Sequence, residues 1–132
     1  MPSTDNPEVL ARYIFNRKHY RPSDHTVKHN AFLPNKDGKT SVFQIFGLEE
    51  QEIWEIGDRE VAPARQKPVL GRADIEQIEV TKLNLSVIDD ESPSKHANIV
   101  GWPEDDDERE EKAKRMSLAV ELAESAQLYL KT

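Results

Sequence analysis

The chain contains no cysteine, which removes disulfides, thiolate zinc sites and a cysteine nucleophile together. Glycine is scarce, with five in 132 residues, and neither GxGxxG nor GxSxG occurs. A dinucleotide fingerprint and a nucleophile elbow are therefore both missing. No GxxxxGK[ST] is present, which excludes a P-loop phosphate cradle. Long apolar runs are missing too. Even Ala97 to Trp102 is broken by Asn98 and Gly101, far short of the roughly 18 residues a membrane helix needs. The opening Met1-Pro2-Ser3-Thr4-Asp5 lacks the basic and apolar regions of a signal peptide. These absences predict a soluble, cytoplasmic protein of bacterial type with no membrane contact, no metal and no cofactor. The length predicts one domain over residues 1–132, with residues 1–6 flexible.

Positive charge is the minority sign, 18 Lys and Arg against 25 Asp and Glu, for a net charge of −7. Much of it is crowded into one stretch. Between Arg12 and Lys39 lie Arg12, Arg17, Lys18, Arg21, Lys28, Lys36 and Lys39, opposed only by Asp24 and Asp37. The local balance is +5 in a chain of −7, so the remainder carries −12. Three of the four histidines, His19, His25 and His29, share the stretch with Tyr13, Phe15, Tyr20 and Phe32. Such polarity suits a face that meets an anion, a phosphate or an acidic partner. The overall negative charge argues against sequence-independent duplex binding, which depends on neutralising many phosphates.

Asp5-Asn6-Pro7 is a capping signal followed by proline at a first helical position, and Leu10, Tyr13 and Ile14 follow at helical spacing. This predicts a helix over about residues 7–16. Pro22 to Lys39 is expected to be a long ordered loop, with an extended piece at Ala31-Phe32 and a turn at Asn35 to Lys39. Thr40 to Phe46, β-branched and aromatic, predicts a strand. Leu48 to Ile56 predicts a short helix stopped at Gly57, and Val61 to Pro68 a connector. Further strands are expected at Val69–Ile75, Leu85–Ile88 and His96–Val100, with Asp89 to Pro93 as a loop and Glu76 to Lys82 ambiguous. Pro103 to about Leu130 predicts a long helix of roughly 40 Å, its acids gathered at the N-terminal end and Met116, Ala119, Val120, Ala123, Ala126 and Leu130 forming an apolar stripe widened by Leu122 and Tyr129. The mixture without strict βαβ alternation predicts an α+β fold. Its expected layout is a small mixed or antiparallel sheet with an N-terminal helix, a short central helix and a long C-terminal helix.

His25 and His29 have the i, i+4 spacing of many metal sites, but they follow Pro22-Ser23-Asp24 and read as loop histidines. In the strand at His96, alternation places His96, Asn98 and Val100 on one face and Ala97 and Ile99 on the other. Polar groups on a face beside a core strand must be hydrogen-bonded or solvated, often within a site. Ser41, His96 and an aspartate such as Asp74 supply the residue types of a hydrolytic triad, though no motif marks Ser41 as exposed. Arg12, Arg17 or Arg72 could grip a phosphate, with His96 orienting a ribose or acting as a base.

Taken in order, AFLP at residues 31–34, SVF at 41–43, a helix ending in IW, GRAD at 71–74 and HANIVGWP at 96–103 form a pattern. It resembles a family of small bacterial cytosolic proteins sharing AFxP…SV…HAxIxGWP, over about residues 10–127. The resemblance marks those stretches as the fixed part of a common plan and brings no catalytic residue with it. Binding candidates are Arg12, Arg17, Arg21, His29, Arg72, His96, Asn98 and Trp102, with His96 as the candidate catalytic group. The expectation is a non-enzymatic accessory module that contacts another protein, or a second copy of itself. Its contact surfaces would be the basic-aromatic segment 12–39 and the acidic helix start at 104–111, since complementary patches orient association. The alternative is a nucleotide-binding protein or small transferase with a site at Arg17, Arg21, His96 and Asn98. Single-stranded nucleic acid stacked along Tyr13, Phe15 and Tyr20 comes third.

Overall fold

Val9-Leu10-Ala11-Arg12-Tyr13-Ile14 alternates two sets of side chains, and in the folded chain both sets find a core. A computed structural model describes residues 8–90 and 93–131, and Val9–Ile14 is its strand β1. β1 sends Leu10 and Ile14 into one buried cluster and Ala11 and Tyr13 into another. A strand covered on both faces has little polar alternation to display, so its apolar residues imitate helical spacing. The predicted N-terminal helix over 7–16 is thereby overturned. Its capping signal at Asp5 to Pro7 and the flexible segment 1–6 lie outside the described residues.

The remaining strands are β2 (Tyr20–Arg21), β3 (Thr26–Val27), β4 (Thr40–Gln44), β5 (Gly71–Glu76), β6 (Ser86–Asp89), β7 (His96–Val100) and β8 (Gln127–Leu130). Six of them form one sheet in the order β6-β7-β4-β1-β5-β8, and β2 and β3 form a small ribbon. Every neighbouring pair is antiparallel. The helices are α1 (Glu50–Ile56), α2 (Ala62–Arg65), α3 (Gln77–Thr81) and α4 (Glu108–Ser125). The architecture is α+β, but its helices are not those expected. One face of the sheet packs against α3, α4 and the turn at His29–Ala31, through Val80, Leu122, Ala119 and Ala31. The other packs against α1, through Ile53 and Ile56.

The expected helix from Pro103 to Leu130 is also corrected. Asp107 caps α4, its side chain accepting from the backbone N–H groups of Arg109 and Glu110, so the helix begins one turn later. It stops at Ser125, and the chain turns extended at Ala126 to pair with β5. At about 1.5 Å per residue, α4 spans roughly 27 Å rather than 40 Å. Gly71 permits this last pairing, because a Cβ there would stand 2.7 Å from the Tyr129 carbonyl oxygen. The segment read as a long loop carries β3 and a 3-10 turn at His29–Ala31. Phe32 follows in helical backbone, so the extended piece at Ala31-Phe32 is absent. The ambiguous stretch at 76–82 holds α3, and residues 91–92 of the predicted loop lie outside the described residues.

Gly57 does not stop the central helix. Its backbone is helical (φ −60°, ψ −44°), and α1 runs through a π turn at Gly57–Val61 into α2. The i→i+5 bond from Ala62 N–H to the Gly57 carbonyl marks the inserted residue. Pro63 supplies a reason for it, since proline lacks an N–H and crowds the carbonyl four residues before. Gly57 is needed here because the Tyr13 ring packs against it, with Cε1 only 2.8 Å from where a Cβ would sit. Tyr13 cannot swing aside: its ring meets Phe43 edge-on at 5.7 Å, and its hydroxyl donates to the Ile53 carbonyl. Gly57→Ala is expected to lower unfolding stability by about 1–3 kcal/mol, read by urea denaturation.

Arg72 clamps the sheet to α1. Its guanidinium donates to Asp74 from Nε at 3.0 Å and to both Glu50 oxygens from Nη1 and Nη2 at 2.8 and 2.9 Å. It also lies against the rings of Trp54 and Tyr129, 4.7 and 4.6 Å from their centroids. Burial raises the Asp74 carboxyl from its ordinary 3.8 to about 6, despite the lowering influence of Arg72. The folded protein therefore holds this proton to higher pH than the unfolded chain does. Asp74 ionisation opposes folding, with no effect below pH 3.8 and its full effect above about 6. Asp74→Asn cannot ionise, so its melting temperature relative to the parent should rise between pH 4 and 7. A gap that stays flat or narrows over that range would contradict the burial argument.

Candidate active site

The ladder between β1 and β4 is short. It pairs Leu10 with Gln44 and Ala11 with Phe43, although β1 continues to Ile14 and β4 begins at Thr40. Where the strands part, the Arg12 guanidinium fills the gap. Nε donates to the Ala31 carbonyl at 2.8 Å, and Nη1 to the Ser41 carbonyl at 2.9 Å. The residue is 7% exposed, and among the described residues no carboxylate forms an ion pair with it. Desolvation, then repulsion from Arg65, brings its pKa down to about 10. It remains a cation at neutral pH. A buried cation held only by neutral carbonyls is an uncommon arrangement, because desolvated charge is normally paired.

A cavity of about 360 Å³ opens beside Arg12, within the range of small-ligand sites. Tyr13, Ser41 and Phe43 line it from the sheet, Phe15 from just beyond β1, and Glu60, Val61, Ala64 and Arg65 from the π turn and α2. Pro93 and His96 close the side formed by the connection between β6 and β7. Arg65 is exposed and lies over the Phe15 ring, 4.9 Å from its centroid, a cation–π contact that steadies it at the rim. The π turn sets the roof: an extra residue rotates every later side chain by about a third of a turn.

The opposite wall carries a chain of hydrogen-bonding groups. Ser41 faces Asn98 across the ladder, and His96 lies two residues further along β7 on the same face, a diagonal neighbour within reach of a long side chain. Ser41 Oγ and His96 Nε2 are 2.6 Å apart. His96 packs edge-on against Phe43 at 5.2 Å. Its Nδ1 is 3.4 Å from Asp90 Oδ2, at ion-pair distance but without the alignment of a hydrogen bond, and it has no hydrogen-bond partner among the described residues. Asp90 is delivered by the hairpin itself, since its backbone N–H donates to the His96 carbonyl at 2.8 Å.

Of the candidates from the sequence, the fold brings Arg12 and His96 into the cavity wall and buries Asn98 on the same face of the sheet as His96. Arg17 and Arg21 are exposed, and Arg21 contacts Thr26 on the β2–β3 ribbon at 3.5 Å. His29 is half-buried in its 3-10 turn. His25 stands at positive φ with a ring nitrogen 3.1 Å from the Leu128 carbonyl oxygen, so the two histidines share no helix face. The Arg72 fork is filled by Glu50 and Asp74, and Trp102 is buried with Nε1 donating to the Ile99 carbonyl. The aspartate beside His96 is Asp90 and not Asp74. Arg65 and Glu60 were missed, because they fall in a stretch whose two prolines read as a connector. The signal for Asp90 lay in the sequence: an acidic loop directly before the His96 strand must return as a hairpin.

Compared with protein families, with curated proteins and with solved structures, the chain has no match. The chemistry of the cavity is therefore read from its own residues. Among those described, no helix is long and apolar enough to cross a membrane.

Arg12→Met keeps the aliphatic stem but removes the donors to Ala31 and Ser41. One buried and one partly buried carbonyl are left unpaired at about 1–3 kcal/mol each, so unfolding stability should fall by about 2–6 kcal/mol. Guanidinium denaturation against the parent measures it.

Proposed function

We propose that this chain is a cytoplasmic binding protein for a small organic anion, one carrying a carboxylate or phosphate group, which it takes into the cavity between Arg12 and Arg65. The observation that carries this reading is the uncompensated buried charge of Arg12, lowered in pKa by burial and by Arg65. An anion between the two guanidinium groups would relieve both desolvation and repulsion. Arginine is suited to it, because its planar fork matches carboxylate and phosphate oxygens. Glu60, also in the lining, pairs with Arg59 at 2.9 Å, which draws its charge from the cavity.

The accessory-module reading draws on Arg17, Lys18 and Arg21, which stay exposed. Its acidic counterpart is partly consumed within α4 and its approach, where Asp105 pairs with Lys114 at 2.8 Å and Glu111 with Arg115 at 3.7 Å. Arg12 and Arg65, by contrast, both line the cavity and form no ion pair among the described residues.

Thermal unfolding with phosphate, citrate and nucleoside monophosphates tests the proposal. A ligand at about a hundred times its Kd should stabilise the fold by roughly 2.7 kcal/mol. Arg65→Ala, a change at an exposed position, should fold normally and lose that stabilisation. A parent protein whose melting is unmoved by every anion, or an Arg65→Ala variant that responds as the parent does, would end the cavity reading.

A further inference from the structure

The wall opposite Arg65 does more than bind. Resting on the anion-pocket reading for its substrate, we propose that Ser41, His96 and Asp90 act as a nucleophilic relay that hydrolyses an ester of a small organic acid. Three observations separate this trio from an ordinary structural serine–histidine contact. Ser41 and His96 both line the cavity, so the pair borders space that a substrate can occupy. The polarity is that of a catalytic triad, with Nε2 on the serine and Nδ1 toward the carboxylate. Finally, among the described residues the buried Nδ1 has no hydrogen-bond partner, although Asp90 Oδ2 is 3.4 Å away. Catalytic contacts that are loose in the free protein commonly tighten when substrate binds. A small rotation of Asp90 completes this one.

The chemistry closes without a further co-reactant than water. Nε2 accepts the Ser41 hydroxyl proton as Oγ attacks the acyl carbon, forming the O–C bond and a tetrahedral oxyanion. Arg12 is the cationic donor beside Ser41. Two of its five N–H groups are engaged by the carbonyls of Ala31 and Ser41, which leaves donors for the oxyanion. The bond from carbon to the alcohol oxygen then breaks, and the alcohol departs with the proton from His96. Water attacks the acyl-serine, passing a proton to Nε2. Collapse frees the acid and returns that proton to Ser41 Oγ. Asp90 holds the imidazole in the tautomer with hydrogen on Nδ1 and stabilises the imidazolium. Arg65 holds the substrate's own anionic group at the rim, so the preferred ester carries a carboxylate distant from the scissile bond.

The test uses the full chain and a fluorophosphonate probe, with the adduct located by intact mass and peptide mapping. One adduct on Ser41 is expected, abolished in His96→Ala and slowed by about tenfold or more in Asp90→Asn. Alongside it, 4-nitrophenyl acetate is compared with the 4-nitrophenyl monoester of succinate. The anionic ester should react about tenfold faster or better, and Arg65→Ala should erase the difference. A folded parent protein with no adduct on Ser41 overturns the relay even if phosphate stabilises it, and the anion pocket then stands alone. An adduct on Ser41 with no preference between the esters upholds the relay and removes the anion pocket. Labelling of the parent decides the matter if a variant does not fold.

Discussion

The structure turns on the guanidinium of Arg12. Strands β1 and β4 separate after two residue pairs, and without a substitute the carbonyls of Ala31 and Ser41 would lose donors in a buried setting. Arg12 supplies both. In doing so it ties three parts of the chain together: the central strand, the turn at His29–Ala31, and the start of β4. The same act carries a positive charge to the floor of a cavity. Fold and site thus share one side chain, and the separation of the strands that makes room for a ligand is stabilised by the group that would attract it.

The π turn has the complementary role above. A regular helix through Pro63 would leave the Arg59 carbonyl in collision with the proline ring. The widened turn removes that conflict and sets Val61, Ala64 and Arg65 over the cavity. Gly57, at the beginning of the turn, allows the helix to settle directly on Tyr13. Roof and floor are therefore held in register by a contact that has no side chain on one side. Further along the sheet, Arg72 fixes α1 independently, with Glu50, Asp74 and two aromatic rings. Two arginines only one strand position from being directly opposed, Arg12 pairing with Ala73 and Tyr13 with Arg72, have opposite fates. One is saturated by carboxylates, and among the described residues the other has none.

What the sequence disclosed followed from how local each signal was. The strand at Thr40 and that at His96 were legible because each is short, β-rich and ended by a turn residue, and the alternation of His96 with Asn98 indicated the correct face. The π turn and α2 were hidden by Pro63 and Pro68, which ordinarily mark a break. β1 was misread because a strand buried on both faces has no alternation of polarity, and the helical signals before it were strong. β8 was absorbed into the preceding helix since Tyr129 and Leu130 continue its apolar spacing, while the partner that makes them a strand, Gly71 to Asp74, lies over fifty residues earlier. Arg12 and His96 could be nominated as chemistry-bearing groups. That Ser41 and Arg65 stand beside them depends on a diagonal across a ladder and on one inserted residue, neither of which has a composition, whereas the acidic loop before the His96 strand did point to Asp90.

The strand order also sets a timetable. β1 is near the middle of the sheet, yet its neighbours are made later: Leu10 waits for Gln44 on one side, and Val9 for Glu76 on the other. Pairings this distant in sequence close slowly, because the entropy of the intervening loop is lost before the contact is gained. During synthesis this apolar strand therefore leaves the ribosome with both edges open until β4 emerges, and one edge stays open until β5 follows. The side chains that bury β1 in the finished molecule are exposed apolar surface in the nascent chain, and the demand on chaperones falls in that interval.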